Sequence, residues 1–179
     1  METLVKTKWA IDPAHTEIHF KVKHLVISTV SGKFDKFDGT VYSSSDDFSD
    51  AEIEFSADVN SVNTGNPDRD GHLKSPDFFD VANHPALSFK SKSIQKKGDN
   101  EYKLTGFLTL RGVAKQIDLD VEYGGTTKDP WGNTKAGFEI TGKLNRHDFG
   151  LQWSAATEAG GLVVADEVKL QMSVELAKQ

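Results

Sequence analysis

The sequence predicts an all-β protein, an antiparallel barrel or sandwich of about eight short strands with one short helical insert. Three observations predict it. Apolar residues take alternate positions in one stretch after another, as Ile18, Phe20 and Val22 do between Glu17, His19, Lys21 and Lys23, which gives a strand one dry and one wet face. Polar turn chemistry separates these stretches, at Gly98-Asp99-Asn100, Arg111-Gly112, Gly124-Gly125 and Asp129-Pro130-Trp131-Gly132-Asn133. One segment, from Asn66 to Pro76, breaks the period of two.

Taken in order, the strand through Ile18, Phe20 and Val22 comes first. The stretch from Phe34 to Tyr42 alternates less cleanly but reads as one strand. From Ala51 to Val59 the alternation is unbroken, with Ile53, Phe55 and Ala57 on the dry face. The helical insert follows. Asn66 supplies an N-cap, Pro67 fits the first helical position, Asp68 lies in the first turn and Pro76 stops the helix. Phe78-Phe79 and a loop with His84-Pro85 come next, so the helix is placed to cover a barrel mouth or a sheet face. A short strand spans Ala86 to Phe89. The next carries Tyr102, Leu104, Leu108 and Leu110 on one face, with Gly106 interrupting the series. Ile117, Leu119, Val121 and Tyr123 mark another, Ala136, Phe138 and Ile140 another, and Val168, Leu170, Met172, Val174 and Leu176 the last. An open antiparallel sheet leaves unpaired edges, and closure into a barrel removes them. At about eight strands the interior either fills with side chains or holds one small ligand.

Composition narrows the function. The 179 residues, without linker or repeat, read as one domain spanning 1–179. The net charge of -6 and the lack of a basic stripe interleaved with aromatics give no support to a nucleic-acid partner. The absence of cysteine excludes disulfides, thiolate metal sites and thiol nucleophiles. The start, Met1 to Lys8, lacks the apolar run of a signal peptide, and no segment approaches the ~20 apolar residues of a membrane span, so the chain reads as cytoplasmic. Phe outnumbers Tyr and Trp, 11 against 3 and 3, which suits either an ordinary core or a greasy cavity.

Catalytic signatures are missing: there is no Gly-x-Ser-x-Gly elbow, His-Glu-x-x-His pair, phosphate loop or dinucleotide fingerprint. Asp118 and Asp120 have the spacing of a solvated strand face. His15 and His19 share parity, so a strand would point both imidazoles one way, either as metal ligands or as a plain polar face. A second group of cations, His24, Arg69, His72, Lys74, Arg111 and Arg146, could hold an anionic head group at a barrel mouth. The bland alternative pairs Arg69 with Asp68 or Asp70, and Arg146 with Asp148. The dry faces must be buried somewhere. Packed together they are a core; lining a slot they would take up hydrocarbon at ~0.8 kcal/mol per methylene, about 4 kcal/mol gross per isoprene unit.

Several ordered motifs resemble the YceI-like family of lipid-binding proteins. They are Trp9-Ala10-Ile11-Asp12-Pro13-Ala14-His15-Thr16, Val22-Lys23-His24-Leu25, Ser61-Val62-Asn63-Thr64 and the segment from Arg69 to Asp80. Gly106 to Lys115, Asn145 to Leu151, Gly160-Gly161 and Asp166-Glu167-Val168 complete the set. The resemblance implies a lipocalin-like, up-and-down antiparallel barrel around a long apolar pore. It implies binding of a polyisoprenoid, an isoprenoid quinone or a fatty-acid amide without established catalysis, often in connection with stress. Many members are periplasmic, and this chain departs from them in its start. On this reading the pore is lined by Phe20, Val22, Ile53, Phe55, Leu73, Phe78, Phe79, Phe89, Leu104, Leu108, Leu119, Phe138, Ile140, Phe149 and Leu151. No cofactor or metal is expected, and a bound isoprenoid or acyl lipid is. Two rival readings stand beside this binder. One is an enzyme acting on such a lipid through His15, His19 or His72; the other is a filled-core stress protein acting through a homodimer or partner surface.

Overall fold

Eleven strand segments, all antiparallel, form one sheet in the computed structural model, which describes residues 6–25, 27–45, 47–151 and 164–179. They are β1 (Thr7–Ile11), β2 (Glu17–His24), β3 (Ser28–Phe34), β4 (Phe37–Ser43), β5 (Glu52–Asp58), β6 (Val62–Asn63), β7 (Ala86–Lys96), β8 (Glu101–Leu110), β9 (Val113–Lys128), β10 (Thr134–Asn145) and β11 (Val164–Lys178). The helix α1 spans Pro67–Lys74. Pairing runs β1-β4-β5-β7-β8-β9-β10-β11 and returns to β1 through Trp9↔Lys178, Ala10↔Ala177 and Ile11↔Leu176, so the sheet closes.

Three of the staves are bent. β1 and β2 are one strand interrupted by a turn at Pro13–His15, β3 and β4 one strand interrupted at Asp35 and Lys36, and β5 and β6 one strand interrupted at Val59–Ser61. Counted as staves, the barrel is eight-stranded, as the period-two pattern predicts. The breaks are sewn together. Asp35 N donates to Ser61 O at 3.2 Å, Lys36 N to Ser61 Oγ at 3.0 Å and Asp58 N to Lys36 O at 2.9 Å. The single strand expected from Phe34 to Tyr42 is therefore two, because Asp35 and Lys36 turn the chain at this level.

One end, the base, is closed by an apolar cluster of Trp9, Val41, Phe48, Ala51, Ala136 and Leu176. Phe48 enters it from the β4–β5 loop with φ of 61°, in the left-handed region that a bulky residue rarely occupies. Its ring lies 5.2 Å from Trp9, 5.6 Å from Tyr123 and 5.0 Å from Phe138, the last at 89°. Asp50 braces the loop by accepting from Ser43 Oγ at 2.7 Å, Ser44 N at 3.0 Å and Ser45 N at 3.2 Å. The hydroxyls of Ser44 and Ser43 hold the Asp50 carboxyl below the usual carboxylate range.

The other end, the mouth, gathers the β2–β3 hairpin, α1, the 75–85 loop, the Arg111-Gly112 turn and the turn at Arg146–Phe149. Helix α1 starts as the sequence predicts: Asn66 Oδ1 accepts from Asp68 N at 3.0 Å and Arg69 N at 3.2 Å, and Pro67 occupies the first position. At its end Phe79 N donates to Leu73 O at 2.9 Å and Val81 N to Lys74 O at 3.0 Å, folding the chain back over the barrel.

The glycine pair at 124–125 is a correction. The sequence reads it as a turn, but β9 continues to Lys128. Gly137 pairs with Gly125 and Phe138 with Tyr123, leaving Gly124 as the extra residue of a bulge. Gly125 takes φ of 117°, which suits a residue without Cβ. β1 and β3 carry no clean apolar alternation and escape the period-two search; in β3 the inward slots hold Val30, Gly32 and Phe34. Among the described residues no helix is long and apolar enough to cross a membrane. The Gly160-Gly161 pair lies outside the described residues.

Candidate functional site: an apolar cavity along the barrel axis

The barrel is hollow. A cavity of about 460 Å³ runs inside it, from Phe48, Val41 and Leu176 near the base to Leu73, Phe78, Phe79 and Leu151 at the mouth. Its wall is almost entirely apolar. A filled interior, the third reading of the sequence, is not what the chain builds.

The hollowness has a local cause. Four inward positions are glycine, and a large side chain lies flat over each. A Cβ on Gly32 would fall 2.3 Å from Phe20 Cζ, on Gly106 2.4 Å from Phe89 Cζ, on Gly142 2.4 Å from Leu119 Cδ2 and on Gly39 2.5 Å from Ile11 Cδ1. Phe20, Phe89, Leu119 and Ile11 thus hug the wall instead of crossing the lumen. The gap at Gly106 in the β8 alternation is one of these seats.

Of the apolar residues expected to line the pore, all but Phe149 border the cavity. Phe149 is 1 % exposed and lies behind the wall, where the turn at Arg146–Phe149 packs inward. The sequence missed other wall residues. Ile18, Val121, Leu170 and Met172 share the parity of residues that were named, so the same alternation could have found them. Phe48 comes from a loop with no periodicity, and nothing in the sequence marks it.

The polar candidates divide. His24, Arg69, His72 and Arg146 border the cavity; Lys74 and Arg111 do not. Lys74 sits in the last turn of α1, off the cavity wall. Arg111 is a clasp: its Nη2 donates to Pro76 O at 2.8 Å and its Nη1 to Gly150 O, tying three mouth loops together. Arg146 is 3 % exposed and donates to Ala165 O at 2.9 Å, Leu151 O at 2.6 Å and Val164 O at 3.4 Å. Burial lowers its pKa, and Asp166 at 4.0 Å opposes that. It pairs with neither Asp148 nor a head group by necessity; backbone carbonyls occupy it. Arg69 likewise bonds neither Asp68 nor Asp70. Its Nε donates to Thr64 Oγ1 at 2.8 Å and its Nη2 to Thr64 O at 2.7 Å, while Thr64 Oγ1 donates to Asp70 at 2.5 Å. His72 Nε2 lies 3.0 Å from Asp77 Oδ2, and its ring meets Phe78 edge-on at 5.0 Å.

His15 and His19 do not share a strand face. His15 lies in the Pro13–His15 turn and bonds Asp12 at 2.9 Å, whereas His19 in β2 bonds Glu17 at 3.0 Å. Asp12, His15 and Glu175 do converge, with ligand atoms within 4.8 Å of one another. The Lys135 ammonium already bonds Asp12 at 2.8 Å, and with His15 it draws the Asp12 carboxyl down to about 2. The cluster lies at the β1–β2 break, where Asp12 N donates to Glu175 O at 2.8 Å. Its chemistry is that of a lock between chain segments.

Comparison with known proteins agrees with this architecture. A sequence profile described as the YceI-like domain matches residues 9–176. A UPF0312 protein of Staphylococcus aureus is 36% identical over 172 residues, which cover 96% of this chain and 98% of that protein. The crystal structure of a Campylobacter jejuni YCEI protein has a TM-score of 0.73 and 33% identity, with coverage of 100% of this chain and 99% of the other. The same fold occurs in a polyisoprenoid binding domain from Saccharophagus degradans, at a TM-score of 0.70 and 17% identity over 96% of this chain and 98% of that domain. Profile, relative and crystal structure each span nearly the whole length, and the chain belongs to the YceI-like family.

Proposed function

We propose that the protein binds a long apolar lipid, an isoprenoid or acyl chain, inside the barrel and holds it away from water without chemical change. The observation that carries this reading is the 460 Å³ cavity with its apolar wall, in the size range of ligand sites. Each methylene transferred there is worth ~0.8 kcal/mol before association costs. The Saccharophagus degradans domain of the same fold is described as polyisoprenoid binding, which supports an isoprenoid over a compact ligand. His24, Arg69 and His72 border the mouth and would meet the polar end of such a molecule. Extraction of the purified protein with organic solvent, followed by mass spectrometry, should recover a long-chain lipid in unchanged form. Repeated recovery of none, together with no uptake of an added isoprenoid quinone, overturns the proposal.

A further inference from the structure

Large apolar side chains exposed to water are few among the described residues: Leu25 at 38%, Ile27 at 85%, Tyr42, Phe107 and Trp131. Isolated exposed residues of this kind are ordinary. Leu25 and Ile27 are not isolated. They sit two positions apart on the tip of the β2–β3 hairpin, at the mouth end of the barrel, whereas Trp131 lies on a turn at the base. The tip is built to present them. Leu25 holds φ of 54°, Ile27 N donates to His24 O at 3.3 Å and Ser28 Oγ to the same carbonyl at 3.2 Å. The residues just behind the tip, Lys23, His24 and Val30, border the cavity.

The outer face below the tip gathers three lysines. Lys21 and Lys23 are exposed on β2, Lys23 at the rim of the cavity, and Lys169 on β11 lies directly across from Lys21. Of the nearby carboxylates, Glu17 bonds His19, Asp35 bonds Lys33 and Asp166 bonds His147, while Glu167 on β11 is exposed beside Lys23. At ~3.3 Å per residue, Lys23 stands about 7 Å behind Leu25, and Lys21 and Lys169 about 13 Å. A surface that swallowed Leu25 and Ile27 would bring Lys23 to the depth of lipid phosphates and the other two to within one Debye length of them. In a chain of net charge -6, this arrangement is a local exception.

We propose that the β2–β3 hairpin tip docks on an anionic lipid bilayer, Leu25 and Ile27 entering the acyl boundary, Lys23 meeting the phosphates, and Lys21 and Lys169 drawn to them across a shorter distance than a Debye length. The purpose rests on the carrier reading above, since a ligand insoluble in water must pass between a bilayer and the mouth without crossing bulk solvent. The docking itself rests only on the tip and the lysines.

The test uses the full chain and co-sedimentation with phosphatidylcholine vesicles, with and without phosphatidylglycerol. The protein should sediment with the phosphatidylglycerol vesicles and be released by salt. The double variant L25S/I27S should lower the partition coefficient by at least about tenfold, the order set by removing several buried methylenes. K21E/K23E should lose the preference for phosphatidylglycerol, each lysine being worth roughly fivefold near an anionic surface. F107S, which removes an aromatic about as exposed as Leu25 from the side of the barrel, should bind as the unmodified protein does. Failure of the unmodified protein to bind either vesicle, or full binding by L25S/I27S, overturns the inference. Quinone uptake from diluted ethanol, without vesicles, is measured in parallel on all variants. Its loss in the unmodified protein tells against the carrier reading alone, and its retention where vesicle binding is absent tells against docking alone.

Discussion

Asp12 shows how one residue can fasten a closed sheet. It ends β1, caps the turn at Pro13–His15 by accepting from Ala14 N at 3.1 Å, and bonds both His15 and Lys135, the latter on β10 across the barrel's seam. Its carboxyl falls from 3.8 to about 2, through Lys135 first and His15 second. A carboxylate depressed in the folded state adds stability that is present above its unfolded value and fades as pH drops through the folded one. Asp12→Asn should therefore cost about 1 kcal/mol at neutral pH, after allowance for solvent screening. The difference should shrink between pH 3.8 and about 2. Urea unfolding midpoints of both proteins across that range are the check. Asp12 borders a Pro in a family motif, but the partner that gives it this role is 123 residues away, and no local pattern could reveal it. The same holds for Arg69, Arg111 and Arg146. Their charge was legible, whereas the carbonyls and the threonine that occupy them are assembled only by the fold.

Among elements, the β8–β9 turn separates what a turn needs from what a mouth needs. Arg111 and Gly112 both take positive φ, 52° and 73°, as a two-residue hairpin turn of type I′ requires. Glycine does so without strain and arginine does not, so Arg111 is kept there for its side chain, which joins Pro76 O and Gly150 O. Arg111→Asn keeps a residue that tolerates this backbone and removes the clasp. It should destabilise the protein by about 1.5–3 kcal/mol, the range for hydrogen bonds to a charged group, read as a lower midpoint in denaturant. Strand periodicity, helix cap and hairpin turns were legible at this scale because each depends on neighbours within a few residues. The breaks at Asp35-Lys36 and Val59–Ser61 were not, since they are fixed by bonds between staves. Nor was Gly124, whose role as a bulge follows from a register set by β10.

At the scale of the whole barrel, the choice between a packed core and a bore turns on the inward glycines. A parity count lists the large residues of the dry face but not whether they meet in the middle. Gly32 and Phe20 are direct cross-strand partners, and the ring fills the place a Cβ would take. Gly32→Ala should tip Phe20 into the lumen. The ligand-free protein should lose about 1–3 kcal/mol through overpacking. Retention of a branched isoprenoid should fall more than that of a slim unbranched acyl chain, measured by competitive loading of the two. Equal losses would mean that the ring is not part of the bore.

Phe48 and its neighbours stopper the base, and that has a kinetic corollary. A tube with one open end works like a test tube and not like a straw. A second chain cannot drive the first out ahead of it, and water leaving the lumen must slip past whatever is coming in. If the barrel holds a lipid as proposed, its exchange is then set by how fast the resident departs, and crowding the outside with a rival does nothing to hurry it.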